Sequence, residues 1–384
     1  MNRQFLRRLL LPWARRLPAV MQRPLRRLWR AGQSAPAAAS MLSDDPDYQA
    51  RIEAETAIFN EQTDVHDLPA IFHYWSNKYL RPKLETFGFS NPDEFFAVNL
   101  QHAYADAVTR PARFISIGAG NCDTEVRVAR LLIERGVHDF TLECLELNST
   151  MLERGRALAR EHGVAAQVLP QQGDFNSWQP AHHYAAVIAN QSLHHVSNLE
   201  GLFDAIALAL TPQGRFVTSD MIGRNGHQRW PEALAIVQEF WRELPESHRY
   251  NLQLRRKEET FLDWDCSQES FEGIRAQDIL PLLIGRFNFE FFLAYANVID
   301  PFIDRNFGHH FDADSATDRA FIDRIHARDE AEILAGNITP THVMATLRRK
   351  SAAFSGAEMK IWKHLTPAFC MRDPAAPNAG KRRA

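Results

Sequence analysis

The chain has 384 residues, 45% hydrophobic and 24% charged. That is the balance of a folded globular chain, long enough for one large α/β unit with additions or for two domains. No run approaches the roughly 18 uncharged apolar residues of a spanning helix, which argues against an integral helical membrane protein. The net charge of −3 hides an asymmetry, because residues 1–40 hold nine arginines and no acid, so the remainder carries −12. Cys122, Cys144, Cys266 and Cys370 form no CxxC pair. This spacing disfavours a disulfide framework or a structural zinc and fits a reducing cytoplasm.

Residues 1–43 read as a basic arm and linker. Phe5, Leu6, Leu9, Leu10 and Trp13 fall at helical spacing between arginine pairs, and Pro12, Pro18 and Pro24 interrupt any single long helix. Two readings stay open: an amphipathic arm for a membrane surface or a protein partner, or a basic tail without structure. Residues 44–110 read as a helical cap, with a helix opening near Asp45, an aromatic-dense stretch at 71–89, and another helix after Asn91-Pro92.

From residue 111 the pattern turns to alternating strand and helix. Strands are predicted at 114–117, 140–145, 167–169, 184–189 and 215–219, with helices over 125–135, 149–162 and 199–210 between them. That alternation predicts a doubly wound, parallel α/β sheet over 111–223. A helical insertion follows over 224–284. Residues 285–350 hold two last strands, FNFEFFLAYANVID and HVMATLRR, with a charged helix between them. Residues 351–384 read as a C-terminal tail.

The strand tips carry the chemistry. Gly118-Ala119-Gly120 after a buried strand lets a ligand approach the backbone, beside free N–H groups of a helix N-terminus. A dinucleotide turn wants a small residue where this chain has Asp123, whose carboxylate would repel a pyrophosphate. Glu146 ends the second strand, where a carboxylate can accept both ribose hydroxyls. Asp174-Phe175 follows the third strand, with an acceptor for an adenine amino group and a ring to lie against the base. Asn190-Gln191-Ser192-Leu193-His194-His195-Val196 stands at the tip of the fourth strand, where the reacting centre of an open α/β sheet belongs.

Together, ISIGAGNCDTEVRVARLL, TLECLELNSTMLERGRALA, QQGDFNSW and YAAVIANQSLHHVSNLEGLFDAIALALTPQGRFVTSDM resemble the class I S-adenosylmethionine-dependent methyltransferase family. The resemblance is specific over 111–220 and looser over 285–350. It implies a seven-stranded Rossmann-like sheet, parallel except for its last strand, which pairs with the sixth as a hairpin. It implies S-adenosylmethionine as cofactor, with Gly118 and Gly120 against its methionine part and Glu146 on the ribose. Asp174 and Phe175 would then contact adenine, and Asn190 would lie by the sulfonium end. One departure stands out. Many members have an acid two positions before the first glycine, near the methionine ammonium, and here that position is Ser116. Asp123 is the substitute that the sequence offers.

Methyl transfer to an oxygen needs a proton removed, and histidine suits that task near neutral pH. His194 and His195 are the candidates for this catalytic role, and their adjacency gives no metal-ligand spacing. SDMIGRNGHQRW, after the fifth strand, gathers Asp220, Arg224, Asn225, His227 and Arg229 on the substrate side. The two arginines could clamp a carboxylate, phosphate or acidic sugar. In FHYWSNKY, His73 and Tyr74 are the cap residues expected to reach a substrate. The expected acceptor is a small polar metabolite or glycan precursor, with an anionic one among the readings, and oxygen is favoured over nitrogen or carbon as the methylated atom. Three alternatives are an RNA methyltransferase, which the acidic body disfavours, a non-catalytic adenosyl-ligand-binding module, and a dehydrogenase.

Overall fold

In a computed structural model, the structure describes residues 46–61, 68–268, 270–350 and 359–372. The basic arm expected over 1–43 lies outside the described residues. Residues from Ala50 onward form one compact unit, and Pro46–Gln49 fall in a separate N-terminal unit.

The elements run in this order: α1 Pro46–Glu61, α2 Ala70–Trp75, a π-helical turn Ser76–Leu80, α3 Arg81–Glu85 and α4 Pro92–Asp106. The core follows as β1 Ala112–Ile117, α5 Asp123–Glu134, β2 Phe140–Glu146, α6 Ser149–Glu161, β3 Val168–Gln172, β4 Tyr184–Asn190, α7 Leu199–Ala209 and β5 Leu210–Met221. Then come α8 Pro231–Glu243, a small hairpin of β6 Tyr250–Asn251 and β7 Arg256–Lys257, α9 Ala276–Arg286 and β8 Phe287–Tyr295. The chain ends with α10 Asp300–Ile303, α11 Ala316–Ala335, β9 His342–Arg349, β10 Lys360–Ile361 and α12 Pro367–Cys370.

The main sheet has the order β10-β8-β9-β5-β4-β1-β2-β3. β1 to β5 are parallel, β9 runs antiparallel between β5 and β8, and β10 lies parallel to β8. Strands such as Tyr184–Asn190 are buried on both faces, which explains their continuous apolar runs. The strand order reverses between β1 and β4, so the crevice at their carboxyl ends is the switch point where such sheets take ligands.

Four expectations need correction. The sheet has eight strands rather than seven, because Lys360 and Ile361 pair with Phe291 and Phe292. That pairing also removes residues 359–372 from the expected tail: Leu365 and Cys370 are buried on the body. The cap expected over 44–110 divides, since α4 packs against α5, β4 and β5 as part of the sheet's cover, and α2 lies against α11. Among the described residues, α1 reaches the strand tips, through Glu55. The insertion over 224–284 is not simply helical either, because a long irregular loop separates β7 from α9. No helix among the described residues is long and apolar enough to cross a membrane.

Candidate functional site

β1 ends in a turn whose glycines have φ of +67° (Gly118) and +56° (Gly120). A Cβ on Gly118 would stand 2.6 Å from the Ser192 Cβ and 3.8 Å from the Phe175 ring, so this position brings the β1, β3 and β4 tips into contact. Ser192 Oγ donates to the Ile117 carbonyl at 2.7 Å, which fastens the β4 tip to the end of β1. Glu146 Oε2 accepts from Gly120 N at 3.0 Å, and its Oε1 accepts from Asn148 N at 2.9 Å. Burial pushes the Glu146 carboxyl up, against the pull of these amides. Two amides leave about half of a carboxylate's acceptor capacity open to ribose hydroxyls.

The other expected cofactor residues gather around the same turn. Phe175 is buried below it, and Asp174 Oδ1 accepts from Asn176 N at 2.8 Å. Asn176 Oδ1 in turn accepts from Ser197 N and Asn198 N, which ties the β3 loop to the β4 loop. Asn190 donates to Thr124 Oγ1 at 3.0 Å, beside Asp123 at the first turn of α5.

The Ser116 departure has a structural answer that the sequence reading missed. Ser116 Oγ donates to Glu125 Oε1 at 2.6 Å, and Glu125 is buried in the first turn of α5. Its Oε2 has no hydrogen-bond partner among the described residues. Burial pushes this carboxyl up to about 7, with the Ser116 hydroxyl pulling the other way. An orphaned buried carboxylate oxygen beside Ser116 of β1 fits a cationic ligand group. The signal in the sequence was a second acid two residues after Asp123.

At the tips of β4 and β5, three imidazoles meet three carboxylates. Asp220 is fully buried, with Oδ2 accepting from Ser192 N (2.9 Å) and Leu193 N (2.7 Å), and Oδ1 from Met221 N (2.8 Å). His194 Nδ1 lies 2.7 Å from the same Oδ1. Glu55 of α1 holds His195 Nδ1 at 2.6 Å and accepts from Phe271 N at 3.0 Å. Glu272, on the loop before α9, collects three ring nitrogens: His227 Nε2 at 2.5 Å, His195 Nε2 at 3.3 Å and His194 Nε2 at 3.4 Å. Burial alone would lower both His194 and His195, but the charges facing them win. His194 rises to about 10 beside Asp220 and Glu272, and His195 rises beside Glu55 and Glu272. His227 stays low, because burial outweighs its one carboxylate. Glu272 is pulled well below the usual range by the three rings, despite burial.

These charges reorder the expected roles. The facing carboxylates favour the charged form of His194 and His195, which were read as proton acceptors, whereas burial favours the neutral form of His227. Glu55 and Glu272 were not foreseen, since each lies far along the chain from the histidines. The expectation that no metal-ligand set exists rested on the spacing of His194-His195 alone. The fold adds His227 and Glu272, and one ligand atom each from His194, His227 and Glu272 lie within 4.8 Å of one another.

Several expected substrate residues are occupied elsewhere. Asp220 serves the backbone and His194, as above. Arg229 is buried, donating to the His227 carbonyl at 2.8 Å and to Asp300 at 3.1 Å. Arg224 donates to the Arg229 carbonyl and lies 5.5 Å from the Trp230 ring centre. Neither is set as an anion clamp in this arrangement. Tyr74 donates to Asp323 of α11 at 2.9 Å, joined there by Lys78 and Tyr79. His73 is exposed on α2. This aromatic segment docks α2 onto α11 and not onto the strand tips.

Residues 115–214 match a family model described as a methyltransferase domain. No curated protein matches the chain. Among solved structures, the chain is similar to the geranyl diphosphate C-methyltransferase of Streptomyces coelicolor A3(2), solved with Mg2+, geranyl diphosphate and S-adenosyl-L-homocysteine. That match has 14% identity and a TM-score of 0.42, covering 80% of this chain and 100% of the other. It is also similar to the O-methyltransferase of a trans-AT PKS multienzyme of Brevibacillus brevis, solved with S-adenosyl-L-homocysteine. Identity there is 11% and the TM-score 0.41, over 74% of this chain and 81% of the other.

Proposed function

We propose that this chain, whose residues 115–214 are a class I S-adenosylmethionine-dependent methyltransferase domain, methylates an oxygen of a small polar molecule. S-adenosylmethionine supplies a methyl already activated on a sulfonium. The chain's part is to hold, align and manage protons. The Gly118–Gly120 turn and Glu125 would take the methionine end, with Glu125 as counter-charge to its ammonium in place of an acid at Ser116. Glu146 would take the ribose, Asp174 and Phe175 the adenine, and Asn190 the sulfonium side.

The observation that carries the oxygen acceptor is the imidazole–carboxylate cluster at the tips of β4 and β5. A hydroxyl becomes a good nucleophile as its proton leaves, and His227 is the ring that burial keeps neutral and able to accept one. Glu55 and the loop carrying Phe271 and Glu272 roof this cluster. That enclosure supports a small molecule over a polymer. The arginines' internal partners weaken the case for an anionic group on it.

The test incubates the full chain with methyl-labelled S-adenosylmethionine and a cell extract, then separates small molecules, RNA and protein. Label in a small-molecule product, with a CH2 mass gain on an oxygen, supports the reading. Label confined to RNA or protein sinks it.

A further inference from the structure

His194 and His195 each face carboxylates with both ring nitrogens. A neutral imidazole has one N–H and one lone pair. Each of these rings would therefore aim a lone pair at a carboxylate oxygen unless something positive stands between. Two extra protons would meet that demand. One divalent cation, placed where the Nε2 atoms of His194 and His227 converge on Glu272, would meet it for His194 and leave one extra proton to His195.

We propose that His194, His227 and Glu272 bind a divalent transition-metal ion, through the two Nε2 atoms and a Glu272 carboxylate oxygen. Three observations carry the proposal. The ligand atoms of these residues already lie within 4.8 Å of one another. Metal bonds of about 2.1 Å at a tetrahedral angle put donors roughly 3.4 Å apart. The separation of His194 Nε2 from Glu272 Oε1 is 3.4 Å, and the His227–Glu272 pair at 2.5 Å would open to admit an ion.

Second, His194 is already oriented as ligating histidines are. Asp220 holds its Nδ1, which leaves Nε2 to face the site, and four backbone amides lock Asp220 in turn. A carboxylate on the outer nitrogen fixes the tautomer and raises ligand basicity. Third, the loop that presents His227 is held in a costly shape. His227 has φ of +55°, a region that non-glycine residues rarely adopt, and its neighbour Gly226 donates to the Gly273 carbonyl at 2.9 Å. That bond locks the His227 turn to the residue after Glu272.

Two imidazoles and one carboxylate suit Zn2+, Fe2+, Co2+ or Ni2+ better than Mg2+ or Ca2+, which prefer all-oxygen sites. Bound there, the ion would hold and acidify an acceptor hydroxyl, in place of proton transfer to His227. The site stands on its own geometry and does not depend on the methyl acceptor proposed above.

The test uses the full chain, freed of metal by chelation and dialysis, and titrates it with Co2+ or Zn2+ alone. The expected result is one equivalent bound at micromolar affinity or tighter, with visible Co2+ absorption bands. H227A and E272Q should each weaken binding at least 100-fold while circular dichroism stays that of the unaltered chain. H73A, which changes an exposed histidine on α2, should bind as before. Absence of stoichiometric binding up to 100-micromolar metal overturns the proposal and leaves the cluster balanced by protons. Binding that survives both H227A and E272Q overturns it too.

Discussion

Ser116 Oγ of β1 and Glu125 Oε1 of α5 are joined at 2.6 Å, and the second Glu125 oxygen has no partner among the described residues. Burial holds this carboxyl at about 7, against an ordinary value of 4.5. Between those two values the folded chain keeps a proton that the unfolded chain has released. Its contribution to stability is therefore full below about pH 4.5 and lost as pH rises through 7. Glu125→Gln should leave stability nearly unchanged at pH 4 and raise it at pH 8, by up to about 3 kcal/mol. Urea unfolding at both pH values measures this. The same variant should weaken S-adenosylmethionine binding tenfold or more by calorimetry. An unchanged Kd would remove Glu125 from the cofactor site.

Asp220 and His194 have unequal claims on each other. Asp220 serves backbone amides of Ser192, Leu193 and Met221 as well as the ring. Asp220→Ala strands several buried donors and a cationic imidazole, and should cost about 3–5 kcal/mol. His194→Ala leaves the carboxylate its amides and should cost clearly less. Chemical denaturation of both variants ranks them, and the reverse order would contradict the assignment of Asp220 as the anchor.

Gly273 decides whether His227 and Glu272 meet. Its φ is +66°, and a Cβ there would stand 3.0 Å from Gly226 N and 3.1 Å from His227 N. Both contacts are backbone, so neither can swing away. Gly273→Ala should cost about 1–3 kcal/mol and separate the two loops. Methyl transfer should fall at least tenfold. Gly285→Ala, at a helical site with nothing within 4 Å of the added methyl, should keep activity and gain up to about 1 kcal/mol. Equal activities in the two variants would refute the role of Gly273.

Which features the sequence disclosed follows from how local they are. Gly118, Glu146 and Asp174 sit at strand tips, and alternating strands and helices announce strand tips within a few residues. The parallel sheet was legible for the same reason, and its antiparallel end followed from the resemblance to the methyltransferase family. Glu55 and Glu272 reach His195 from 140 residues before it and 77 residues after it, and no spacing rule spans such distances. Arg224 and Arg229 were misread because a polar loop looks alike whether its arginines face a ligand or brace a neighbouring loop. β10 was missed because two residues carry no alternation to read.

Glu55 makes a kinetic prediction. Its two oxygens hold His195 and Phe271, while Arg154 donates to the carbonyls of Phe59 and Asn60 further along α1. Glu55→Ala should speed amide hydrogen exchange across 50–61 and raise the acceptor's KM more than it lowers kcat. Unchanged exchange would show that α1 is held by its other contacts alone.

The short pairing of Lys360 and Ile361 on Phe291 and Phe292 has a consequence for solubility. β8 is rich in phenylalanine, and its outer rim would otherwise offer unpaired N–H and C=O groups to any extended chain nearby. Two residues cover the middle of that rim yet are too few to recruit another strand themselves. A chain ended at Arg349 would keep every residue of the strand-tip cluster and still expose an aromatic edge. It would be expected to self-associate, so the last described segment guards the protein against its own copies.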